Sequence, residues 1–153
     1  MKMFLILSVF FTMSTPKLIE SRNFQGYIFS DEHFVTLSIE NQLKRYTPTN
    51  EEVILAEEIL SKNIKSANVQ LRSPTNRPNI HKNLKMYFRQ YVGFVDNEGN
   101  RIIWINLLWK EDIALHQLKN EIVFVSDGGS YFWNIKANLD KSLLSDLHVN
   151  GRG

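Results

Sequence analysis

The carboxylate best placed for acid or base chemistry is Asp127, which opens the glycine-rich turn Asp127-Gly128-Gly129. A turn between two strands could present it beside Arg89 or Asn106 of neighbouring strands, where a guanidinium would orient the carboxylate. That arrangement would suit a hydrolase or a lyase. No second catalytic group follows at a motif spacing, and an aspartate also initiates turns through its own side chain. The sequence therefore assigns no catalytic residue and leaves an enzyme as an alternative.

Sequence signatures for the other common chemistries are missing. The histidines form no HxH or HExxH pattern that would bind a metal ion; they are His33, His81, His116 and His148. Gly128-Gly129-Ser130 is better explained as a turn than as a nucleophile elbow. The chain has no cysteine, which excludes disulfides and thiolate catalysis. We therefore expect neither a metal nor a cofactor.

Two groups of residues could instead bind a partner. One is a face of the predicted sheet that carries Arg89, Tyr91, Asn106 and Trp133. The other is the segment from Ile59 to Val95, which holds seven basic residues and no acidic one, with Arg72 and Arg77 in its long loop. Such a loop could contact phosphate, an acidic glycan or an acidic protein, although charge runs more often form only a solvated surface. The formal net charge of +2 gives no basic footprint for nucleic acid.

The elements that position these residues are mostly strands. Met86–Val95 and Arg101–Trp109 are rich in aromatic and β-branched residues, and the polar linker between them predicts a hairpin. A second hairpin is predicted from Ile122–Ser126 to Ser130–Leu139, because Asp-Gly and Gly-Gly steps supply the positive φ of tight turns. Weaker strand patterns occur at 27–29, 34–39 and 147–151.

One helix is predicted to begin after Thr49, because Thr49 and Glu52 have the spacing of a capping box. Apolar side chains then recur at helical intervals, at Val53, Ala56, Leu60 and Ile64. The face predicted to meet water carries Glu57 together with Glu58 and Lys62, which form a favourable i,i+4 pair. The helix must pack on the sheet, since propensity alone does not hold a helix of this kind.

The first 21 residues are typical of a secretory signal peptide. Lys2 precedes an apolar run from Phe4 to Met13, which fits a signal-peptide core and is too short to span a bilayer. A buried strand or a core helix is the alternative interpretation. We therefore predict a leader at residues 1–21 and a single domain at residues 22–153. The domain would be exported to the periplasm or the medium, without a membrane span once the leader is removed.

Four segments together resemble the recurring pattern of small, uncharacterised exported proteins of Bacteroidota: Arg89–Phe94, Ile105-Asn106, Asp127–Trp133 and Asn150-Gly151. The resemblance covers residues 46–151 and implies export and a single α+β domain, with no activity to carry over. Many of those relatives are lipoproteins, whereas this chain lacks the cysteine.

The order of strand, helix and antiparallel meander is also similar to the cystatin-like architecture, in which a helix crosses a curved sheet. Gln90-Tyr91-Val92-Gly93 comes close to the cystatin Q-x-V-x-G motif, but its glycine is one position early and the segment is predicted to lie in mid-strand. An inference from this architecture to function would be analogy alone.

We therefore expect an α+β fold in which one main helix packs on a sheet of four to six mainly antiparallel strands. The leading functional hypothesis is a non-catalytic binding module that meets an envelope protein or a glycan, as a monomer or weak oligomer. One alternative is an inhibitor or immunity-type protein that blocks an enzyme through a hairpin tip. Another is a hydrolase or lyase that uses Asp127.

Overall fold

The computed structural model describes residues 14–35, 44–69 and 79–151. Within these ranges the chain forms seven strands and two α-helices: β1 (Lys17–Glu20), β2 (Gln25–Phe29), β3 (Lys44–Tyr46), α1 (Asn50–Val69), β4 (Tyr87–Val95), β5 (Arg101–Trp109), α2 (Leu115–Leu118), β6 (Phe132–Asn138) and β7 (Leu143–Val149). Short 3-10 turns lie at Ile80–Lys82, Leu84–Met86 and Gly129–Tyr131.

The strands form one sheet in the order β1-β2-β4-β5-β6-β7, and β3 pairs with β4 beyond the end of β2. The described pairings are antiparallel except that of β2 with β4. A parallel pair needs a long connection, and here the chain passes through β3 and α1 before it returns. The predicted α+β class is confirmed, with seven strands where four to six were expected.

The central hairpin of β4 and β5 is confirmed, and the two strands pair along their full nine-residue lengths. Asp96 closes the loop between them. One of its carboxylate oxygens accepts from the backbone N–H groups of Glu98 and Asn100, both at 2.9 Å. Gly99 adopts a φ of 86° in this loop, a left-handed conformation that costs glycine little.

Helix α1 begins as the sequence predicts. The backbone N–H of Thr49 donates to Glu52 Oε2 at 3.0 Å, and that of Glu52 donates to Thr49 Oγ1 at 3.2 Å, which completes a capping box. Glu58 and Lys62 face solvent with 3.8 Å between their charged groups. The expectation for Glu57 is wrong, because its side chain turns toward the sheet and the residue is only 8% exposed. The predicted apolar positions are buried: Val53, Ala56, Leu60 and Ile64.

The second predicted hairpin is wrong in its first strand. Residues 122–126 form no strand, and β6 pairs instead with β5 and β7. The backbone of Val123 bonds to side-chain amides of the sheet. Its N–H donates to Gln90 Oε1 at 2.9 Å, and its carbonyl accepts from Asn106 Nδ2 at 2.8 Å. Gly128 has a φ of 88°, and a Cβ there would lie 2.5 Å from the Phe132 ring, so the turn requires glycine.

Both faces of the sheet are covered. Helix α1 packs on one face, over the most extensive buried apolar cluster. Part of the opposite face is covered by residues 113–127, which include α2 and which we call the strap. Leu118 of the strap is 1% exposed and packs with Phe88 and Leu108 of the central strands. Because both faces are core, β4 is buried along nearly its whole length.

The sheet starts inside the segment that the sequence assigns to a leader. β1 pairs with β2, and its Ile19 is only 7% exposed. The apolar run at 4–13 lies outside the described residues, as does most of the strand predicted at 34–39. β2 and β7 account for the strands predicted at 27–29 and near 147. Among the described helices, none is both long and apolar enough to cross a membrane.

Candidate functional site

A groove of about 540 Å³ opens between the strap and strands β5, β6 and β7, on the face of the sheet opposite to α1. Its volume lies in the range of sites that hold small molecules. The side chains that define it are Trp104, Phe124, Asn134, Lys136, Asp146 and His148.

A β-bulge shapes one end of this groove. Asn134 pairs with His148 and Lys136 pairs with Ser145, so that the register shifts between the two pairs. Asp146 lies in the bulge with a φ of 51°, a conformation that few residues other than glycine adopt. Its carboxylate meets Lys136, with 2.6 Å between Oδ2 and Nζ. Bulges commonly re-aim a side chain beside a functional site, and this one brings Asp146 to the groove.

Aromatic rings form a second part of the groove. Trp104 is 4% exposed, and its indole N–H donates to Asn134 Oδ1 at 3.2 Å. Phe124 of the strap lies beside Trp104, with 6.4 Å between the ring centroids. Because Phe124 remains 51% exposed, its ring is available to an apolar part of a ligand.

Two polar side chains at the groove keep hydrogen-bonding capacity. Asn134 uses its carbonyl oxygen for Trp104, and its amide nitrogen has no partner within the described residues. The imidazole of His148 likewise has none there. Asn150 is occupied by contrast, since its amide donates to the backbone carbonyls of Val125 and Asp127 and so ties the strap to the end of β7.

Arg89 and Tyr91, predicted to bind a partner, lie beneath α1. Arg89 is 1% exposed, and its Nε and Nη2 donate to the two carboxylate oxygens of Glu57 at 3.1 and 3.4 Å. The Tyr91 hydroxyl donates to Glu57 Oε1 at 2.9 Å. Burial, and then the charge of Glu57, raises the pKa of Tyr91 well above its usual value. These three residues, the Glu57 cluster, connect α1 to the sheet and use their polar groups internally.

Asn106 and Trp133 lie on opposite faces of the sheet. Asn106 is 5% exposed beneath the strap, where its amide donates to Gln90 Oε1 at 3.1 Å. Trp133 is 1% exposed and meets Tyr87 edge-on, with ring centroids 5.6 Å apart. Although both residues border the groove, the four residues predicted as one binding face are divided between two interiors and form no common surface.

Asp127 is exposed at the end of the strap, and its carboxylate is not among the groups that line the groove. Arg89, which was expected to orient it, is bonded to Glu57 on the other side of the sheet. Within the described residues, the structure does not assemble the pair on which the hydrolase or lyase alternative rested.

Arg72 and Arg77 lie outside the described residues. Lys85, from the same basic segment, lines a smaller cleft of about 340 Å³ with Arg22 and Lys110. Burial, and then the charge of Arg89, lowers the pKa of Lys110. These three cationic residues of the cleft are exposed, whereas the groove has partly buried aromatic and polar walls, and so the groove is the stronger candidate site.

Sequence reasoning missed Glu57, Gln90 and the bulge at Asp146. The signal for Glu57 was available, because it follows Val53 by four residues and precedes Leu60 by three, within the apolar stripe of α1. For Gln90 the sequence indicated only a polar residue in the middle of an aromatic strand, and it did not predict the bonds of Gln90 to the strap. Asp146 gave no signal, since a bulge depends on the pairing of two strands rather than on either sequence.

Comparison with known proteins finds no significant match to a protein-family model, a curated protein or a solved structure. In the part of the chain that the structure describes, no group of three or more His, Cys, Asp or Glu residues is arranged to hold a metal ion. The groove and its surroundings are therefore the basis for a functional conclusion.

Proposed function

We propose that this chain is a non-catalytic binding domain and that the groove is its binding site. The observation that carries the proposal is that the half-exposed ring of Phe124 lines the same groove as Asn134 and His148. The Asn134 amide nitrogen and the His148 imidazole have no hydrogen-bond partner within the described residues. Binding sites combine apolar contact area with a few polar groups that fix the orientation of a ligand. This groove contains both.

The groove is held by hydrogen bonds on both of its sides. Its floor belongs to the sheet, where Trp104 of β5 is bonded to Asn134 of β6. Its strap side is fixed where Asn106 donates to the carbonyl of Val123 and Asn150 to that of Asp127. A site that is formed before binding loses less conformational entropy on association. This favours recognition of a defined ligand.

Chemical-shift mapping on ¹⁵N-labelled protein tests the proposal. The probes are cellotriose, maltotriose, tri-galacturonic acid, trialanine and inorganic phosphate. We expect at least one of them to move the amide signals of Phe124, Asn134 and His148 in a saturable manner. The proposal fails if no probe moves these signals. Shifts confined to Arg22, Lys85 and Lys110 would also overturn it, because they would place the site in the smaller cleft that these residues line.

Two variants make the mapping specific. Phe124→Ala removes a ring that is 51% exposed, and Tyr131→Ala removes a ring that is 47% exposed, outside the groove, and stacked edge-on against Trp109. We expect Phe124→Ala to weaken binding and Tyr131→Ala to leave it unchanged. An equal loss in both variants would mean that the probes contact exposed aromatic rings without a site.

Export belongs to the same proposal and is supported by the basic residue and apolar run at the start of the sequence. The fold adds a constraint, since cleavage after Ser21 would remove β1 and with it the buried Ile19. Cleavage before Lys17 would leave the sheet whole. We therefore expect the intact mass of protein from the periplasm or medium to give a mature chain that begins between 15 and 17. A full-length chain recovered from the cytosol would contradict export.

A further inference from the structure

We infer that the groove binds an uncharged carbohydrate, an inference that rests on the proposed function. Three features of the groove carry it: the balance of its charges, its exposed aromatic ring, and the kind of hydrogen-bonding groups that it leaves open.

The charges at the groove cancel. Among the described residues that line the groove, Lys136 is the one lysine or arginine and Asp146 is the one aspartate or glutamate. They form an ion pair, with 2.6 Å between Lys136 Nζ and Asp146 Oδ2. Recognition of a phosphate or a carboxylate calls for a free guanidinium or ammonium group. Recognition of a cationic peptide calls for a free carboxylate. A paired lysine and aspartate supply neither, and so the groove suits a ligand without net charge.

The exposed ring of Phe124 suits the C–H face of a sugar. The face of an aromatic ring carries partial negative charge, whereas the C–H groups on one side of a pyranose carry partial positive charge. Trp104 stands behind Phe124 at 6.4 Å between centroids and supports it from the interior. A sugar ring could therefore lie on Phe124 with its apolar side, and direct its hydroxyl groups toward β6 and β7.

The open polar groups match hydroxyl groups. Each sugar hydroxyl both donates and accepts, and neutral amide and imidazole groups can supply both functions. The free amide nitrogen of Asn134 can donate, and the two ring nitrogens of His148 lie on the neighbouring strand. These two side chains lie directly opposite one another across β6 and β7. The site therefore presents hydrogen-bonding side chains on one side and an aromatic ring on the other.

The probes named above separate this inference from the proposed function. If cellotriose or maltotriose moves the groove signals while tri-galacturonic acid, trialanine and phosphate do not, both are supported. If an acidic glycan, a peptide or phosphate alone moves them, the carbohydrate inference is overturned and the groove remains a binding site. If no probe moves them, both fail.

Variants then measure the contribution of each group to the affinity for the neutral trisaccharide. Phe124→Ala should raise the Kd by about two- to tenfold, the range that aromatic contacts contribute. His148→Ala should raise it by a similar factor through loss of a hydrogen bond. Both residues are exposed, so that the variants are expected to keep the spectrum of a folded protein. Unchanged affinity in both variants would overturn the inference.

Discussion

The two faces of this sheet hold polar groups in different ways. Neighbouring residues of β4 illustrate the contrast, because Arg89 points under α1 and Gln90 points under the strap. Arg89 is neutralised by Glu57 of the helix, whereas the amide of Gln90 donates to the carbonyls of Leu118 at 2.9 Å and Glu121 at 2.7 Å. The first face uses an ion pair between side chains, and the second uses neutral amides bonded to backbone.

The difference follows from how each covering segment satisfies its own backbone. A helix satisfies its backbone groups internally, so that α1 offers the polar groups beneath it only side-chain partners, and Glu57 supplies one to Arg89. The strap is largely irregular, so that some of its backbone groups need partners from outside the strap. The side-chain amides of Gln90 and Asn106 bond to the N–H and the carbonyl of Val123. We therefore expect the α1 face to control global stability and the strap to open locally, beside the proposed binding groove.

The strongest test of this comparison is a charge in the core of the α1 face. Leu60→Asp places a carboxylate where the side chain is fully buried, and we expect the variant to lose its cooperative unfolding transition in urea. Leu55→Asp is the matched control on the same helix, because Leu55 is 37% exposed and its replacement should change little. A cooperative transition retained by Leu60→Asp would show that α1 is not essential to the core.

The Glu57 cluster provides the next largest effect. Glu57→Gln keeps the shape of the side chain but leaves the Arg89 guanidinium buried without a counter-charge, and should cost about 3–5 kcal/mol in the free energy of unfolding. The matched control is the adjacent Glu58→Gln, whose solvent-exposed pair with Lys62 contributes only a few tenths of a kcal/mol.

Replacing the Glu57 cluster as a whole sharpens the same test. The triple variant Glu57→Leu, Arg89→Met, Tyr91→Phe removes both charges and the hydroxyl together, and should recover most of the loss. Urea denaturation gives the free energy of unfolding of Glu57→Gln, Glu58→Gln and the triple variant, and equal m-values would show that the three proteins expose the same surface on unfolding. A loss below about 1 kcal/mol in Glu57→Gln would contradict the prediction, since a buried charge without a partner costs more than that.

The amides beneath the strap should show a smaller and more local effect. Gln90→Leu leaves backbone groups of the strap without partners and should cost about 1–3 kcal/mol. Hydrogen exchange should place the loss mainly at residues 118–123, with lesser change in α1. Gln117→Leu, an exposed position in α2, is the control. A uniform increase in exchange over both faces would mean that the strap does not open independently.

The contrast between the faces also explains how far the sequence could predict the fold. The capping box at Thr49 and the aromatic and β-branched composition of β4 and β5 are local patterns, and they predicted α1 and the central hairpin. The run at 122–126 has the composition of a strand, but the structure gives it side-chain amides as partners in place of a neighbouring strand. That outcome depends on Gln90 and Asn106, which lie far away in the chain.

The candidate site was harder to predict for a related reason. Arg89 and Asn106 were predicted to bind a partner because they are polar residues within apolar strands. In the structure Arg89 donates to the Glu57 carboxylate and Asn106 to the Val123 carbonyl, so that the two form no binding surface. The groove depends on the bulge at Asp146 and on Phe124, which the predicted second hairpin would have placed in a regular strand. Residue type identified polar positions, but only the covering segments decide which of them reach solvent.

A pH titration distinguishes the two faces by their chemistry. Because burial raises the pKa of Tyr91 in the folded state, its contribution to stability is complete below the unfolded pKa of about 10. The contribution is lost as the pH rises further, because the unfolded tyrosine ionises while the folded one keeps its proton. The loss approaches about 1.4 kcal/mol per pH unit for each such tyrosine. Burial also raises the pKa of Tyr87, to about 12, so that the wild-type protein should lose stability steeply above pH 10.

Tyr91→Phe should therefore flatten the decline between pH 10 and pH 11.5, although it lowers the free energy of unfolding at pH 8 by removing the hydrogen bond to Glu57. Gln90→Leu is the matched control, because an amide does not titrate and its removal should leave the slope of the wild-type protein. Urea denaturation at each pH gives the slopes. Parallel curves for Tyr91→Phe and the wild-type protein would show that the Tyr91 hydroxyl ionises equally in the folded and unfolded states. In that case the α1 face would not be the water-excluding interior that raises the pKa of Tyr91.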